Sequence, residues 1–121
     1  MAGRSELGGW GETAAAAFLE TGGYSIIERN YRSRFGEIDI IAQDGNYTAF
    51  VEVKLRKDQK FAMALEAVTR GKQAKIIAAA KMWLSENPDA PQPRFDIIEI
   101  YAPAGDKTEL LEINHIIDAF Q

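Results

Sequence analysis

The stretch RFGEIDIIAQDGNYTAFVEVKLR, residues 34–56, decides the fold. It contains two runs rich in β-branched residues, EIDIIAQ and TAFVEVKLR, each with the period-2 alternation of a strand. Asp44, Gly45, Asn46 and Tyr47 between them are a turn signal, so the two runs are predicted to form an antiparallel hairpin. Alternation puts Phe50, Glu52, Lys54 and Arg56 on one face of the second run and Ala49, Val51, Val53 and Leu55 on the other. The first face is read as charged and the second as core. In the first run Glu37, Asp39 and Ile41 share a face, opposite Ile38, Ile40 and Ala42. Loop length sets which acids meet. With Gly45-Asn46 as a two-residue loop, Asp39 faces Glu52 and Glu37 faces Lys54. With Asp44-Gly45 instead, Glu37 faces Glu52 and Asp39 lies one step diagonal. Either loop keeps all four groups on one face, with directly opposed Cβ atoms about 4.5–5.5 Å apart.

Outward from the hairpin, YSIIERNY from residue 24 favours a further strand. Before it, Ser5 can cap a helix running to about Thr21, with Leu7, Gly11, Ala14 and Phe18 as its apolar stripe and Gly22-Gly23 as its stop. After the hairpin, residues 62–70 read as a short helical or irregular connection. Residues 71–87 carry Ala74, Ile76, Ile77, Ala80, Trp83 and Leu84 at helical spacing, and Pro88, Pro91 and Pro93 end that helix. RFDIIEIYA is predicted as a strand, LLEINHI as its hairpin partner across residues 104–107, and IDAF as a C-terminal turn. The order is α-β-β-β-α-β-β, an α/β fold with about five strands. No repeat, long linker or low-complexity tail suggests a second module, so residues 1–121 read as one domain.

Apolar residues make up 46% and charged residues 26%, which excludes wholesale disorder and fibrous repeats. Cysteine is absent, which removes disulfides and thiolate chemistry and fits a reducing compartment. No apolar run approaches the roughly 18 residues of a membrane span, and MAGRSELGG lacks a signal core, so a soluble cytoplasmic protein is expected. The net charge of −4 argues mildly against a nucleic-acid partner until its distribution is considered. Residues 29–81 hold eleven of the fourteen Lys and Arg but six of the eighteen Asp and Glu, a local charge of +5 against −9 for the remainder. Screening limits each charge to about 8 Å, so a basic patch attracts polyanions even on an acidic molecule.

Two carboxylates held together on one sheet face repel, and something must compensate. A hard divalent cation does so, because Mg²⁺ takes one or two carboxylates plus waters and leaves positions for phosphate oxygens. Lys54 would then orient or deprotonate an attacking water. The Val53 carbonyl is an additional candidate ligand. The competing structural reading is a set of cross-strand ion pairs, Glu37 with Lys54 and Asp39 with Arg32 or Arg34.

Glu52-Val53-Lys54, preceded by Asp39 in GEIDIIA and by Gly11-Glu12 in the first helix, resembles the PD-(D/E)XK nuclease superfamily, and within it the archaeal Holliday-junction resolvases. The strings GxGExxAAxFL, RNYRSRFGEIDIIA, FVEVKLR, the Lys-rich helix and RFDIIEI more closely resemble the YraN-type family of small bacterial proteins, often described as predicted endonucleases. The resemblance covers nearly the whole chain. It implies a restriction-endonuclease-like three-layer α-β-α domain with a mixed sheet and a divalent-metal site, Mg²⁺ or Mn²⁺, at the hairpin. Asp39 and Glu52 would be metal ligands, Lys54 the water-activating base or charge stabiliser, and Glu12 an auxiliary acid from the first helix. Ile38 stands where the superfamily pattern has proline, which removes one diagnostic residue.

Arg29, Arg32 and Arg34 precede the site, and Arg56, Lys57 and Lys60 follow it, as candidate phosphate contacts. Lys72 and Lys75 at the second helix are further candidates, helped by the helix N-terminus. Trp10 and Tyr31 are available for base stacking, whereas Trp83 has core spacing. Asp96 either lines the same cleft or faces water, and His115 has no partner motif. The expected function is a divalent-metal-dependent DNA endonuclease, with branched or flapped DNA suggested by analogy to resolvases. Dimerisation would suit two-strand cleavage. The rival readings are a non-catalytic nucleic-acid-binding module of the same fold and a protein-interaction subunit.

Overall fold

The computed structural model describes residues 6–57 and 68–121. Helix α1 (Glu6–Thr21) is followed by strands β1 (Ser25–Ser33), β2 (Gly36–Gln43) and β3 (Tyr47–Arg56), helix α2 (Arg70–Glu86), strand β4 (Gln92–Tyr101), a short 3-10 turn at Gly105–Lys107 and strand β5 (Glu112–Phe120). The order α-β-β-β-α-β-β matches the sequence expectation. The strands form one sheet in the order β1-β2-β3-β4-β5. All neighbours are antiparallel except β3 and β4, which are parallel because α2 carries the chain back across the sheet. The Ser5 cap, Lys60 and residues 62–67 of the connection lie outside the described residues.

A helix covers each face of the sheet, which gives three layers. On one side Ala15, Ala16 and Leu19 of α1 pack on Ile40, Ala42, Ala49, Val51, Ile98 and Ile100. On the other, Ile76, Ala79, Ala80 and Trp83 of α2 pack on Ile41, Phe50 and Ile97. Both faces of the sheet are therefore core, and the reading of one face of β3 as simply charged is corrected: Phe50 lies under α2, and the polar residues beyond it are partly enclosed. The α1 stripe is also corrected. Among the described side chains its buried positions are Gly11, Glu12, Ala15, Ala16 and Leu19, whereas Phe18 is exposed, and the side chain of Leu7 lies outside those described. Residues 117–120 continue β5 rather than forming a C-terminal turn. A register shift opposite Phe95 and Ile97, with Asp118 at φ 57°, lets the strand run on to pair Phe120 with Phe95.

The β2–β3 hairpin uses Gly45-Asn46 as its loop, with Gln43 opposite Thr48 and Ile40 opposite Val51. Asp44 Oδ1 accepts the N–H groups of Asn46 and Tyr47 at 3.0 and 2.8 Å, and Gly45 at φ +99° supplies the positive φ that the tight loop needs. The ladder between β2 and β3 ends at Ile40 and Val51, while β2 stays paired with β1 as far as Gly36. The sheet forks there. The β1–β2 arm follows α2, which explains why Ile38 joins Ile41 in the core under α2 and not Ile40 and Ala42 on the other side. Gly36 makes this possible, because a Cβ on it would meet the Lys75 carbonyl oxygen at 3.0 Å and Lys75 Cβ at 3.1 Å. Gly36→Ala is expected to push the arm off α2 and to destabilise the protein by about 1–3 kcal/mol, measurable by urea unfolding.

Candidate active site

The fork leaves the C-terminal half of β3 unpaired on its β2 side, and two of the sequence-predicted acids, Asp39 and Glu52, meet there. Asp39 bridges the opening: its Oδ2 accepts the Val53 N–H at 2.8 Å, replacing a ladder hydrogen bond with a side-chain one. Across from it Glu52 is only 4% exposed. Its Oε2 takes the Lys72 ammonium at 2.6 Å and lies 3.7 Å from Lys54 Nζ. Lys72 comes from the first turn of α2, where the Thr69 side chain caps the helix by accepting the Lys72 N–H at 3.2 Å. Two strands and the start of one helix thus place two carboxylates and two ammonium groups together.

Their mutual field is uneven. Burial, reinforced by the positive charge of Lys72, draws the Lys54 ammonium below the ordinary lysine range despite Glu52 and Asp39 nearby. Burial also opposes charge on Lys72, but the hydrogen bond and charge of Glu52, with the charge of Asp39, outweigh it and hold Lys72 above that range. Lys54 is the more readily deprotonated of the pair, as a residue that handles a water proton requires. As a donor set for a metal, Asp39, Glu52 and the Val53 carbonyl are hard oxygens, suited to Mg²⁺ or Mn²⁺. Two carboxylates and one carbonyl would leave a bound cation several of its waters.

Glu37 is not part of this group. It pairs with Arg32 on β1 at 3.4 Å, with both side chains exposed, so the predicted meeting of Glu37 with Lys54 is corrected: the fork carries Glu37 away with β1. Glu12 is 3% exposed on the α1 side, 3.9 Å from Arg29. Arg29 also donates to Thr13 Oγ1 at 3.1 Å, so it packs on α1. Among the other predicted phosphate contacts, Arg34 stacks over the Phe35 ring at 4.9 Å in the turn between β1 and β2, and Lys57 is exposed just beyond β3. Arg56 donates through Nε to Glu99 at 2.7 Å. Trp10 packs on the α1-side core, and the Tyr31 hydroxyl donates to Glu86 at 3.4 Å.

Glu99 was not singled out from sequence, yet it is 0% exposed, neighbours Lys54 in the parallel register, and its Oε1 has no hydrogen-bond partner among the described residues. The available signal was period-2 spacing: Phe95, Ile97 and Glu99 alternate along one face of an apolar strand. Asp96 neither lines this cleft nor faces water. It is 0% exposed on the opposite face of β4, bonded to Arg94 Nε and Nη2 at 3.0 and 2.8 Å, to His115 Nε2 at 2.8 Å and to the Asp118 N–H at 3.0 Å. Arg94 Nη2 also donates to the Tyr24 hydroxyl at 2.6 Å. His115, apparently isolated in sequence, is part of this network.

The molecule is thus a three-layer α/β protein with a carboxylate–lysine cluster at a fork in a mixed sheet. The chain belongs to the uncharacterised protein family UPF0102, whose family model matches residues 11–100. It is 43% identical over 118 residues to a UPF0102 protein of Caldanaerobacter subterraneus subsp. tengcongensis, covering 97% of this chain and 96% of that one. It is 45% identical over 117 residues to one of Chlorobium chlorochromatii, covering 95% and 91%. A Rhodococcus opacus relative is 41% identical over 121 residues and is covered completely. Among the described residues no helix is long and apolar enough to cross a membrane.

Proposed function

We propose that this protein is a divalent-metal-dependent DNA endonuclease of the PD-(D/E)XK type, acting on phosphodiester bonds in branched or flapped DNA. The observation that carries the reading is the convergence of Asp39, Glu52, Lys54 and Lys72 at the fork. Asp39, Glu52 and the Val53 carbonyl would hold Mg²⁺ or Mn²⁺, which when bound lowers the pKa of a coordinated water and stabilises charge developing on phosphorus. The hydrogen bond from Val53 N–H fixes the orientation of the Asp39 carboxylate, and burial keeps Glu52 in place. Lys54, with its ammonium destabilised by burial, takes the proton of the attacking water or orients that water toward phosphorus. Arg34 and Lys57, exposed on either side of the fork, hold the flanking phosphates.

The test is cleavage of labelled duplex, flap and four-way-junction DNA with Mg²⁺ or Mn²⁺. Cleavage that requires metal and prefers a branched substrate is expected, and survival of every substrate under all metals and salt concentrations removes the catalytic reading. Arg34→Ala and Lys57→Ala should each weaken DNA binding regardless of sequence and reduce the slope of log K against log salt by about 1, measured by fluorescence anisotropy. One observation favours a second reading, a binding module of the same fold without hydrolysis. The 2.6 Å bond from Lys72 neutralises Glu52 without a metal. That reading requires salt-dependent DNA binding with no cleavage and no response to Asp39→Asn.

A further inference from the structure

Glu52 Oε2 receives two ammonium groups, Lys72 at 2.6 Å and Lys54 at 3.7 Å. With Asp39 included, two carboxylates meet two cations and the site is formally neutral before any ion enters. A divalent cation entering this cluster adds two positive charges and competes with Lys72 for the same carboxylate. Like charges at such separations repel strongly where water is partly excluded. A phosphate group supplies the negative charge that relieves the excess.

We infer that Lys72 is the resident cation of the Asp39–Glu52 site: it holds Glu52 until a divalent metal and a DNA phosphate arrive together, and then transfers its ammonium from Glu52 to the phosphate. Metal and DNA therefore bind synergistically, and Lys72 is the element through which they are coupled. The inference rests on the metal-dependent reading above.

The placement of Lys72 suits this exchange. Its backbone is fixed by the Thr69 cap and by the close seating of Gly36 on the same helix at Lys75. Its side chain is 45% exposed, against 29% for Lys54, and an ammonium on a four-carbon stem moves without disturbing the helix. Lys72 also makes the shorter of the two contacts to Oε2, so its displacement is the one that metal entry requires. Because coupling between two ligands is reciprocal, DNA must raise metal affinity by the same factor that metal raises DNA affinity.

The experiment measures Mn²⁺ binding to the full chain by electron paramagnetic resonance, with and without a saturating phosphorothioate flap duplex. It compares wild type with Lys72→Gln, Lys107→Gln and Glu52→Gln, after circular dichroism has established folding. For wild type, the duplex should raise Mn²⁺ affinity about tenfold or more, within the usual range of coupling energies. Lys72→Gln should bind Mn²⁺ alone about tenfold more tightly than wild type and lose most of the enhancement. Lys107→Gln, with the same charge change at an exposed lysine of the 3-10 turn before β5, should behave as wild type. Equal Mn²⁺ affinity in wild type and Lys72→Gln, with binding lost in Glu52→Gln, overturns the role of Lys72 and leaves the metal site standing. Failure of Mn²⁺ to bind wild type and Lys72→Gln, with or without duplex, removes the metal-dependent reading and this inference with it.

Discussion

Glu52→Gln is expected to reduce metal-dependent cleavage of a flap substrate about 10³-fold or more while DNA binding persists. On the proposed function, the size follows from losing a carboxylate that would hold the metal, worth several kcal/mol of transition-state stabilisation, with each 1.36 kcal/mol corresponding to a factor of about ten. Glutamine keeps the shape and a carbonyl acceptor for Lys72, so the loss reads the charge and not a cavity. Lys54→Ala should lower the rate about 10²- to 10⁴-fold, the range of a positioned proton-transfer group. Single-turnover rates with enzyme in excess separate this from a binding defect. Full activity in Glu52→Gln would place the chemistry elsewhere on the molecule.

Asp96→Ala is expected to be the most destabilising single substitution at a polar position. It takes from the buried Arg94 the carboxylate it bonds through two nitrogens, leaving it the Tyr24 hydroxyl and the looser Asp44 pair at 3.8 Å, and removes a partner of His115 and of the Asp118 N–H. Breaking a buried, hydrogen-bonded pair from one side costs about 3–5 kcal/mol. For a domain of this size that lowers Tm by on the order of 10–20 °C in a calorimetric scan. The same carboxylate contributes to acid stability. Burial works against its charge, but the bonds from His115, Arg94 and the Asp118 N–H outweigh that and hold it below its ordinary value of 3.8. A depressed folded-state pKa contributes stability that is fully present above the unfolded value and is lost as pH falls through the folded one. Unfolding free energy should therefore decline below about pH 4 in wild type, and Asp96→Asn should flatten that decline.

Much of the fold was legible because it is written in local period. The hairpin alternation, the 3.6-residue spacing of α2, the Gly22-Gly23 stop and the prolines after residue 87 each predicted an element close to its observed bounds. Errors arose where a longer-range contact overrode that period. Ile38 departs from the alternation of its strand because the arm that carries it is drawn onto α2 through Gly36. The α1 stripe was misread because a buried Glu12 lies where an apolar residue was sought and Phe18 is turned outward. Residues 117–120 were read as a turn because their pairing with β4 depends on a register shift that local spacing does not encode.

The candidate site divides along the same line. Asp39, Glu52 and Lys54 were found from sequence because neighbouring strands of one hairpin bring period-2 positions together, and the turn residues confine the register to a few choices. The sequence by itself thus determined the element order, the hairpin and three members of the cluster. The tertiary structure alone decided that β2 and β3 part at Ile40 and Val51, that Lys72 rather than Glu37 completes the charge balance, and that Glu99 and Asp96 are buried, the latter bonded to His115. The physical reason is range: periodicity orients side chains within a strand or helix. The approach of α2 to β3, separated by an intervening connection, is set by how the two layers pack.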